Sequence, residues 1–551
     1  MTAADAVERN ATDAAGRDTA GAHADARLVV TFDHVSKTFG TQAVLQGVTC
    51  TLTGGTVYAV TGANGSGKST FLRLAGHLLR ASEGNVVVED NGTMLTREAL
   101  RRELGLLSPE LALSPELTGE EAMDFLLGLR GITLANEERN ALMERVGLKA
   151  EDANKRTKAC STGQRQRLAL AVLIASNARL WLLDEPGANL DAKGRDVVRR
   201  EARKAAECGA IVLVATNDEN EAAWADEVIE LGGRTSVIVN REAVHQTQAP
   251  SPRELSAKLT EGVAKVGRDT NVEILVEGTT HLPLPNSSTN LPVRTSDTPP
   301  AASRPSPLGE GGVGTRASRL ANDNKSAFVR NATAHILRRE LTSALRSRSS
   351  LAVMALFAIT ALLALSMALG GAVLEPPLLA ALLWTLLFFA ASMGLGGTFA
   401  GDEATGALLA LRVYGAGQAV LAGKTAFAFL TLAALAALLV PLFFVLLDAS
   451  CVAPLLLLAT LVCGLAGLAG AGTLLSALTV GAAARQTSAG GLLPVLLLPV
   501  ILPVFLPAIT LTSAALGGRE AGLSMLVGMG LYDLLLIVSA SLLFDSLWYE
   551  D

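Results

Sequence analysis

The stretch TGANGSGKST, residues 61–70, is the part of the sequence from which the rest can be read. It carries Gly62, Gly65 and Gly67 ahead of Lys68 and Ser69, the spacing of a loop that wraps a phosphate. Glycines let the backbone bend until successive N–H groups face one anion, at the positive end of the following helix. The flanks supply that context: VYAVTG (57–62) reads as a strand running into the loop, and KSTFLRLAGHLL (68–79) as an amphipathic helix leaving it. Lys68 offers a point charge to β- and γ-phosphates and Ser69 a hydroxyl to Mg²⁺, while Asn64, Ser66 and Thr70 belong to the same loop. A polyphosphate with Mg²⁺ is the expected ligand.

Working outward, ARLWLLDEPGANLD (178–191) is an apolar run, Leu180, Trp181, Leu182 and Leu183, that stops at two adjacent carboxylates. Such a run is a buried parallel strand. Its tip suits metal chemistry beside a phosphate loop: Asp184 to hold Mg²⁺ through water, Glu185 to polarise an attacking water. Between the two motifs, ACSTGQRQRLALAVLIA (159–175) is a small polar turn feeding a helix. Ser161 is placed to cap that helix, and its first N–H groups can take a second anion. Upstream, RLVVTFDHVSKTF (27–39) and GVTCTLTGGTVYAVTG (47–62) read as strands.

These motifs together resemble the nucleotide-binding domain of ABC transporters, over roughly residues 27–245. The resemblance implies an α/β fold in which two such domains face one another, so that Ser161, Thr162, Gly163 and Gln164 of one clasp the ATP held by Lys68 of the other. It further places Asp191 at the dimer seam and Phe39, in KTFG (37–40), on the adenine. Three positions depart from the family pattern. LLSPEL (106–111) offers Ser108, Pro109 or Glu110 where a glutamine is usual, and Thr162 stands where glycine is commoner. AIVLVATND (210–218) ends in Asn217 where a γ-phosphate-sensing histidine is expected, so hydrolysis is expected with a weaker γ-phosphate contact. An asparagine amide donates to a phosphate oxygen, but without an imidazolium's charge.

The remainder of the 551 residues is of another kind. Mean hydropathy over the chain is +0.38, and charges nearly vanish between Leu351 and Phe544. The formal charge of −6 offers no basic footprint for nucleic acid. Five cysteines form no CxxC pair and no zinc spacing. Residues 1–26 lack an apolar run of the secretory kind and read as a disordered tail. Residues 246–326, crowded with Pro, Ser, Thr, Asn and Gly, read as a flexible linker in which only DTNVEILVEG (269–278) could form strands.

From 327 to 551 the expectation is an all-α polytopic membrane domain, with apolar runs near 351–371, 377–398, 426–447, 453–480, 489–513 and 521–544. Each run is long enough to cross a hydrocarbon layer. Arg330, Arg338, Arg339, Arg346 and Arg348 before the first span, Arg412 and Lys424 in the second loop and Arg485 in the fourth oppose only Arg519 on the other side. That bias puts the nucleotide domain and both termini in the cytoplasm. The second loop, GTFAGDEATGALLALRVYGAGQAVLAGK (397–424), is amphipathic, and Asp402, Glu403 and Arg412 are expected to meet the nucleotide domain.

The membrane half resembles CcmB, the membrane subunit of the cytochrome c maturation haem exporter, in three stretches: SMGLGGTFAGDEATGALLALRVYGAGQAVLAGKTAF (392–427), CGLAGLAGAGTLLSALTVGAAAR (463–485) and LLPVLLLPVILPVFLPA (492–508). The resemblance implies a CcmA-like ATPase joined to a CcmB-like domain in a bacterial cytoplasmic membrane, paired with a second copy or an equivalent half. It also implies cytochrome c maturation membrane partners and a haem chaperone whose release ATP hydrolysis drives. All six histidines (His23, His34, His77, His245, His281, His335) precede the first span, so the spans offer haem no histidine ligand. An exporter of a lipid, drug or polysaccharide, or a membrane regulator switched by ATP, would share the same nucleotide chemistry.

Overall fold

A computed structural model describes residues 28–232, 237–240, 314–347, 349–483, 492–518 and 522–549. Residues 1–241 and 324–551 form one compact unit, and residues 242–323 a second. Of the second, only the opening turns of the helix Gly314–Ser347 are described. The expected N-terminal tail, most of the linker with its DTNVEILVEG segment, and Arg348, Arg485 and Arg519 lie outside the described residues.

The described residues of the N-terminal part hold ten strands: β1 (Leu28–Phe39), β2 (Gln42–Thr53), β3 (Val57–Thr61), β4 (Glu83–Asp90), β5 (Thr93–Met94), β6 (Leu104–Leu107), β7 (Leu180–Asp184), β8 (Ile211–Ala215), β9 (Glu227–Glu230) and β10 (Val237–Asn240). One sheet is antiparallel, in the order β2-β1-β4-β5. The other runs β10-β9-β3-β8-β7-β6, parallel from β9 to β6. Every residue of β6, β7 and β8 is buried, which is why LGLL, LWLLD and IVLVA are continuous apolar runs rather than alternating ones. Phe32 of β1 stacks on Phe71 at 4.4 Å between ring centres and so joins the first sheet to the helix Lys68–Ala75.

Strand order decides where the chemistry lies. β3, β8 and β7 are neighbours, so the loop after β3, Asn217 after β8 and Asp184 at the tip of β7 fall side by side at the carboxyl ends of a parallel sheet. That edge is where open α/β sheets bind ligands.

The C-terminal part is helical, and among the described residues six helices are long and apolar enough to cross a membrane: Leu351–Leu369, Pro376–Thr405, Gly417–Leu446, Pro454–Thr479, Pro494–Gly517 and Leu523–Phe544. Two of them extend beyond the apolar runs of the sequence. The second continues to Thr405 through a joint at Gly396, and the third begins at Gly417 rather than near 426. The intervening segment is therefore a tight elbow, closed by Gly406 at φ 75° and followed by the helix Ala407–Tyr414. The left-handed backbone at Gly406 suits a residue without Cβ. Among the spans, Trp384 donates to Thr512 Oγ1 at 2.9 Å, and its ring occupies the space above Gly464.

Candidate functional site

The loop after β3 is shaped by its glycines. Gly62, Gly65 and Gly67 have φ of 143°, 82° and 98°, and a Cβ on Gly62 would lie 2.2 Å from the Leu231 carbonyl oxygen. Lys68 opens the following helix and is 8% exposed; its Nζ donates to the Gly62 and Ala63 carbonyls at 2.8 and 3.0 Å. The hydroxyl of Ser66 is buried in the same loop without a protein partner. A polyphosphate fits this donor set, which combines a lysine, a bare hydroxyl and a helix N-terminus.

Ser69 donates to Asp184 Oδ1 at 3.0 Å, joining two residues 115 positions apart. Burial pushes the Asp184 carboxyl up, while the Ser69 hydrogen bond and Arg73 act in the opposite direction. A hydroxyl and a carboxylate at this distance are hard-oxygen donors of the kind Mg²⁺ takes from a protein. Glu185 beside them is exposed, with φ of 45° and its N–H bonded to the Ala215 carbonyl at 2.9 Å. A non-glycine residue held left-handed at a strand tip is a strained conformation of the type found at functional sites. Asn217 donates its side-chain amide to Asn64 Oδ1 in the phosphate loop. Phe39, at the end of β1, is 46% exposed with Lys37 Nζ 4.9 Å from its ring centre. Thr70 follows Ser69 on the same helix.

The second motif forms a separate surface. Ser161 caps the helix Thr162–Ala175: its hydroxyl accepts the Gln164 N–H at 3.2 Å, and Gln164 Oε1 accepts the Ser161 N–H at 2.8 Å. A Cβ on Gly163 would lie 2.8 Å from the Asn189 carbonyl, so this turn packs on the ANLD turn. Asp191 there accepts from Gly194 N at 3.0 Å and from Arg167. No hydrogen bond among the described residues joins Ser161, Thr162, Gly163 or Gln164 to Lys68. Two contacts were not anticipated from the sequence. Gln166 donates to the Pro186 carbonyl at 2.8 Å, and Thr216 donates to Glu221 at 2.6 Å, whose carboxyl burial pushes up. Gln166 had a signal, being a buried amide on an otherwise apolar helix face.

Both parts of the chain match known families. The family description "ABC transporter" matches residues 45–188, and "CcmB protein" matches residues 331–542. The glutamine transport ATP-binding protein GlnQ of Escherichia coli (strain K12) is 33% identical over 196 residues, 34% of this chain and 81% of that protein. This chain belongs to the ABC transporter family. Its C-terminal part is a CcmB-type domain. The daunorubicin resistance ATP-binding protein DrrA3 of Streptomyces coeruleorubidus is 32% identical over 215 residues, 39% of this chain and 66% of that protein, just short of two thirds of its length. A solved dimer of the ATP-binding cassette MJ0796, bound to ADP and Pi, is 27% identical, covering 38% of this chain and 98% of that one with a TM-score of 0.35.

In this ABC protein the ATPase domain meets the membrane domain through the elbow. Ala112 N–H donates to the Gly406 carbonyl at 3.4 Å, and a Cβ on Gly406 would sit 2.9 Å from the Glu110 carbonyl oxygen. Of the three residues in SPE, Glu110 is thus the one against the membrane domain, and its carboxylate also pairs with Arg73 on the phosphate-loop helix. Ser108 is buried, accepting the Glu110 N–H at 3.3 Å.

Of the charged residues expected to meet the ATPase domain, Asp402 reaches it through Arg339, and the helix Ala407–Tyr414 that carries Arg412 packs on the helix Gly119–Gly128. Asp402 is turned inward, bonded to Arg339 and 2.7 Å from Lys424 Nζ. Glu340 completes the set, 3.0 Å from Arg339 and 2.9 Å from Lys424. Arg412 lies 5.8 Å from the Trp548 ring centre, within the membrane domain, while Glu403 accepts the Gly406 N–H at 3.0 Å through its carbonyl. An apolar elbow gains by docking on the helix Gly119–Gly128, whereas carboxylates there would lose water without partners. Arg339 itself carries the connection, donating to Ser114 Oγ at 2.6 Å, and Arg346 clasps Glu121.

Proposed function

We propose that two copies of the chain close around two ATP molecules. Each site combines Lys68, Ser69, Asp184 and Glu185 of one chain with Ser161, Thr162, Gly163 and Gln164 of the other. Asp191 stands at the seam, Phe39 stacks on adenine, and Asn64, Gly62, Gly65, Ser66, Gly67 and Thr70 form the loop around the phosphates. Ser69 and Asp184 are the residues that would hold Mg²⁺, which supplies charge neutralisation to the phosphates. Glu185 takes the proton of the attacking water, and Asn217 donates to the γ-phosphate.

The observation that carries the reading is the contact of Gly406 with Glu110 and Ala112. Glu110 touches the membrane elbow with its backbone and Arg73 of the phosphate-loop helix with its carboxylate, so a shift of that helix reaches the spans. The CcmB match supports haem delivery in cytochrome c biogenesis as the work done, in a bacterial inner membrane with the ATPase domain and both termini cytoplasmic. On this reading separate partners carry the haem, in keeping with spans that hold no histidine. Complementation of a strain lacking its haem-exporter subunits tests it; restored c-type cytochromes are the expected result, and none at normal expression refutes it.

A second reading has one observation in its favour. DrrA3, a relative by sequence, is named for daunorubicin resistance, which fits export of a drug or lipid by the same ATPase chemistry. Drug efflux from vesicles containing the purified chain separates the two.

A further inference from the structure

A small cleft opens where the elbow leaves the ATPase domain. Its volume is about 60 Å³, and Arg101, Arg102, Arg130, Glu98, Tyr414 and Gly417 line it. That is far below the roughly 300–1,000 Å³ of a drug-sized pocket, so it takes a head group rather than a whole ligand. Three guanidinium groups line it beside Glu98, and Glu103 lies near enough to act on Arg130, so positive charge is in excess there.

Arg130 is the most informative of the three. Its Nη2 donates to the Arg101 carbonyl at 2.9 Å and to the Leu104 carbonyl, and its guanidinium lies 4.4 Å from the Tyr414 ring centre. Its Nε and Nη1 are buried without a partner. Burial pushes this guanidinium down from its ordinary value. A buried cation with unmet donors is costly unless an anion compensates it. Arg102, exposed at the cleft edge, lies 4.8 Å from the Phe328 ring centre and lines the same cleft as Arg130.

The helix Gly417–Leu446 starts in this cleft, and its N-cap, Ala416, has no side chain able to accept from the first turn. The positive end of a 30-residue helix therefore faces the arginines. This helix is also the third candidate span, so the cleft lies on the ATPase side of a span, with Tyr414 buried against Arg130.

We propose that the cleft binds the phosphate of an anionic phospholipid, which bridges the ATPase domain and the membrane domain. The proposal rests on the reading that places the ATPase domain at the membrane surface. A soluble phosphate offers the same chemistry, but the span end and the apolar Phe328 and Val329 beside the arginines favour a headgroup with its glycerol attached.

The test is native mass spectrometry of the full chain released from nanodiscs of mixed phosphatidylglycerol and phosphatidylcholine. The parent should retain phosphatidylglycerol preferentially, and Arg102→Glu should lower that retention by about tenfold or more, as expected for reversing a charge beside a phosphate. Arg130→Gln should lower it too; Arg102→Glu, at an exposed position, serves if that variant does not fold. Equal retention of the two lipids, or retention unchanged in Arg102→Glu, overturns the proposal. So does displacement of the lipid by millimolar inorganic phosphate, which would make soluble phosphate the ligand. The readout needs neither hydrolysis nor cargo, so a protein that retains phosphatidylglycerol but fails complementation sinks only the haem reading.

Discussion

Asp184 accepts the hydroxyl of Ser69 at 3.0 Å, so the phosphate loop and the tip of β7 are tied together before any nucleotide is considered. Lys68 lies one residue before that tie. Lys68→Ala should lower ATP hydrolysis at least about 100-fold, roughly 2.7 kcal/mol of barrier, because no other residue of the loop can supply its charge. Glu185→Gln should slow hydrolysis as much while ATP stays bound and the dimer stays closed. Phosphate release and ATP retention by the purified variants decide the matter; undiminished turnover in either relocates that role.

Asn217 is bonded to Asn64, within reach of the phosphate loop but without a histidine's charge. Asn217→His should therefore raise the hydrolysis rate or leave it unchanged. A tenfold fall, about 1.4 kcal/mol, would show that the Asn217–Asn64 pair is itself part of how the site works.

Each chain has one phosphate loop and one Ser161 turn, and no hydrogen bond among the described residues joins them. Chains carrying Lys68→Ala mixed with chains carrying Gly163→Asp should recover activity that neither has alone, since each mixed dimer holds one undamaged site. No recovery despite demonstrated subunit exchange would exclude independent shared sites.

Arg339 is 6% exposed and Lys424 fully buried, yet each has carboxylate partners. Arg339→Ala leaves Asp402 and Glu340 sharing Lys424, with one buried carboxylate uncompensated, and should destabilise the solubilised protein by roughly 3–5 kcal/mol. Replacing the pair together, Arg339→Met with Asp402→Leu, should cost less, because Lys424 keeps Glu340. Thermal unfolding of both variants checks the order; a double variant less stable than the single one would mean that the pair contributes net stability.

What could be read in advance follows from range. The loop at 61–70, the buried strands and the capped turn at Ser161 depend on neighbours in sequence, so their residue types announce them. Six apolar runs announce six long helices for the same reason. The junction could not be read this way. Arg339 and Asp402 are 63 positions apart, and each resembles a solvated or coupling charge until the other is placed beside it. Gly406 looked like one of many small residues in a loop, but the positive φ and the nearby Glu110 carbonyl make it the contact point. Likewise the charge bias that orients the spans counted Arg339 and Lys424 as loop charges, whereas both are locked in a buried network.

That network bears on how the protein can be encoded. Arg339, Arg346 and the Gly406 elbow grip Ser114, Glu121 and Ala112 directly, all with residues from 28–232 on one side and 314–549 on the other. Each of these contacts joins residues of those two ranges. A gene split anywhere between them would give two polypeptides that still present every one of these contacts, and the ATPase would dock on its membrane partner by surface complementarity alone. Fusion then sets stoichiometry and effective concentration, not the geometry of the joint.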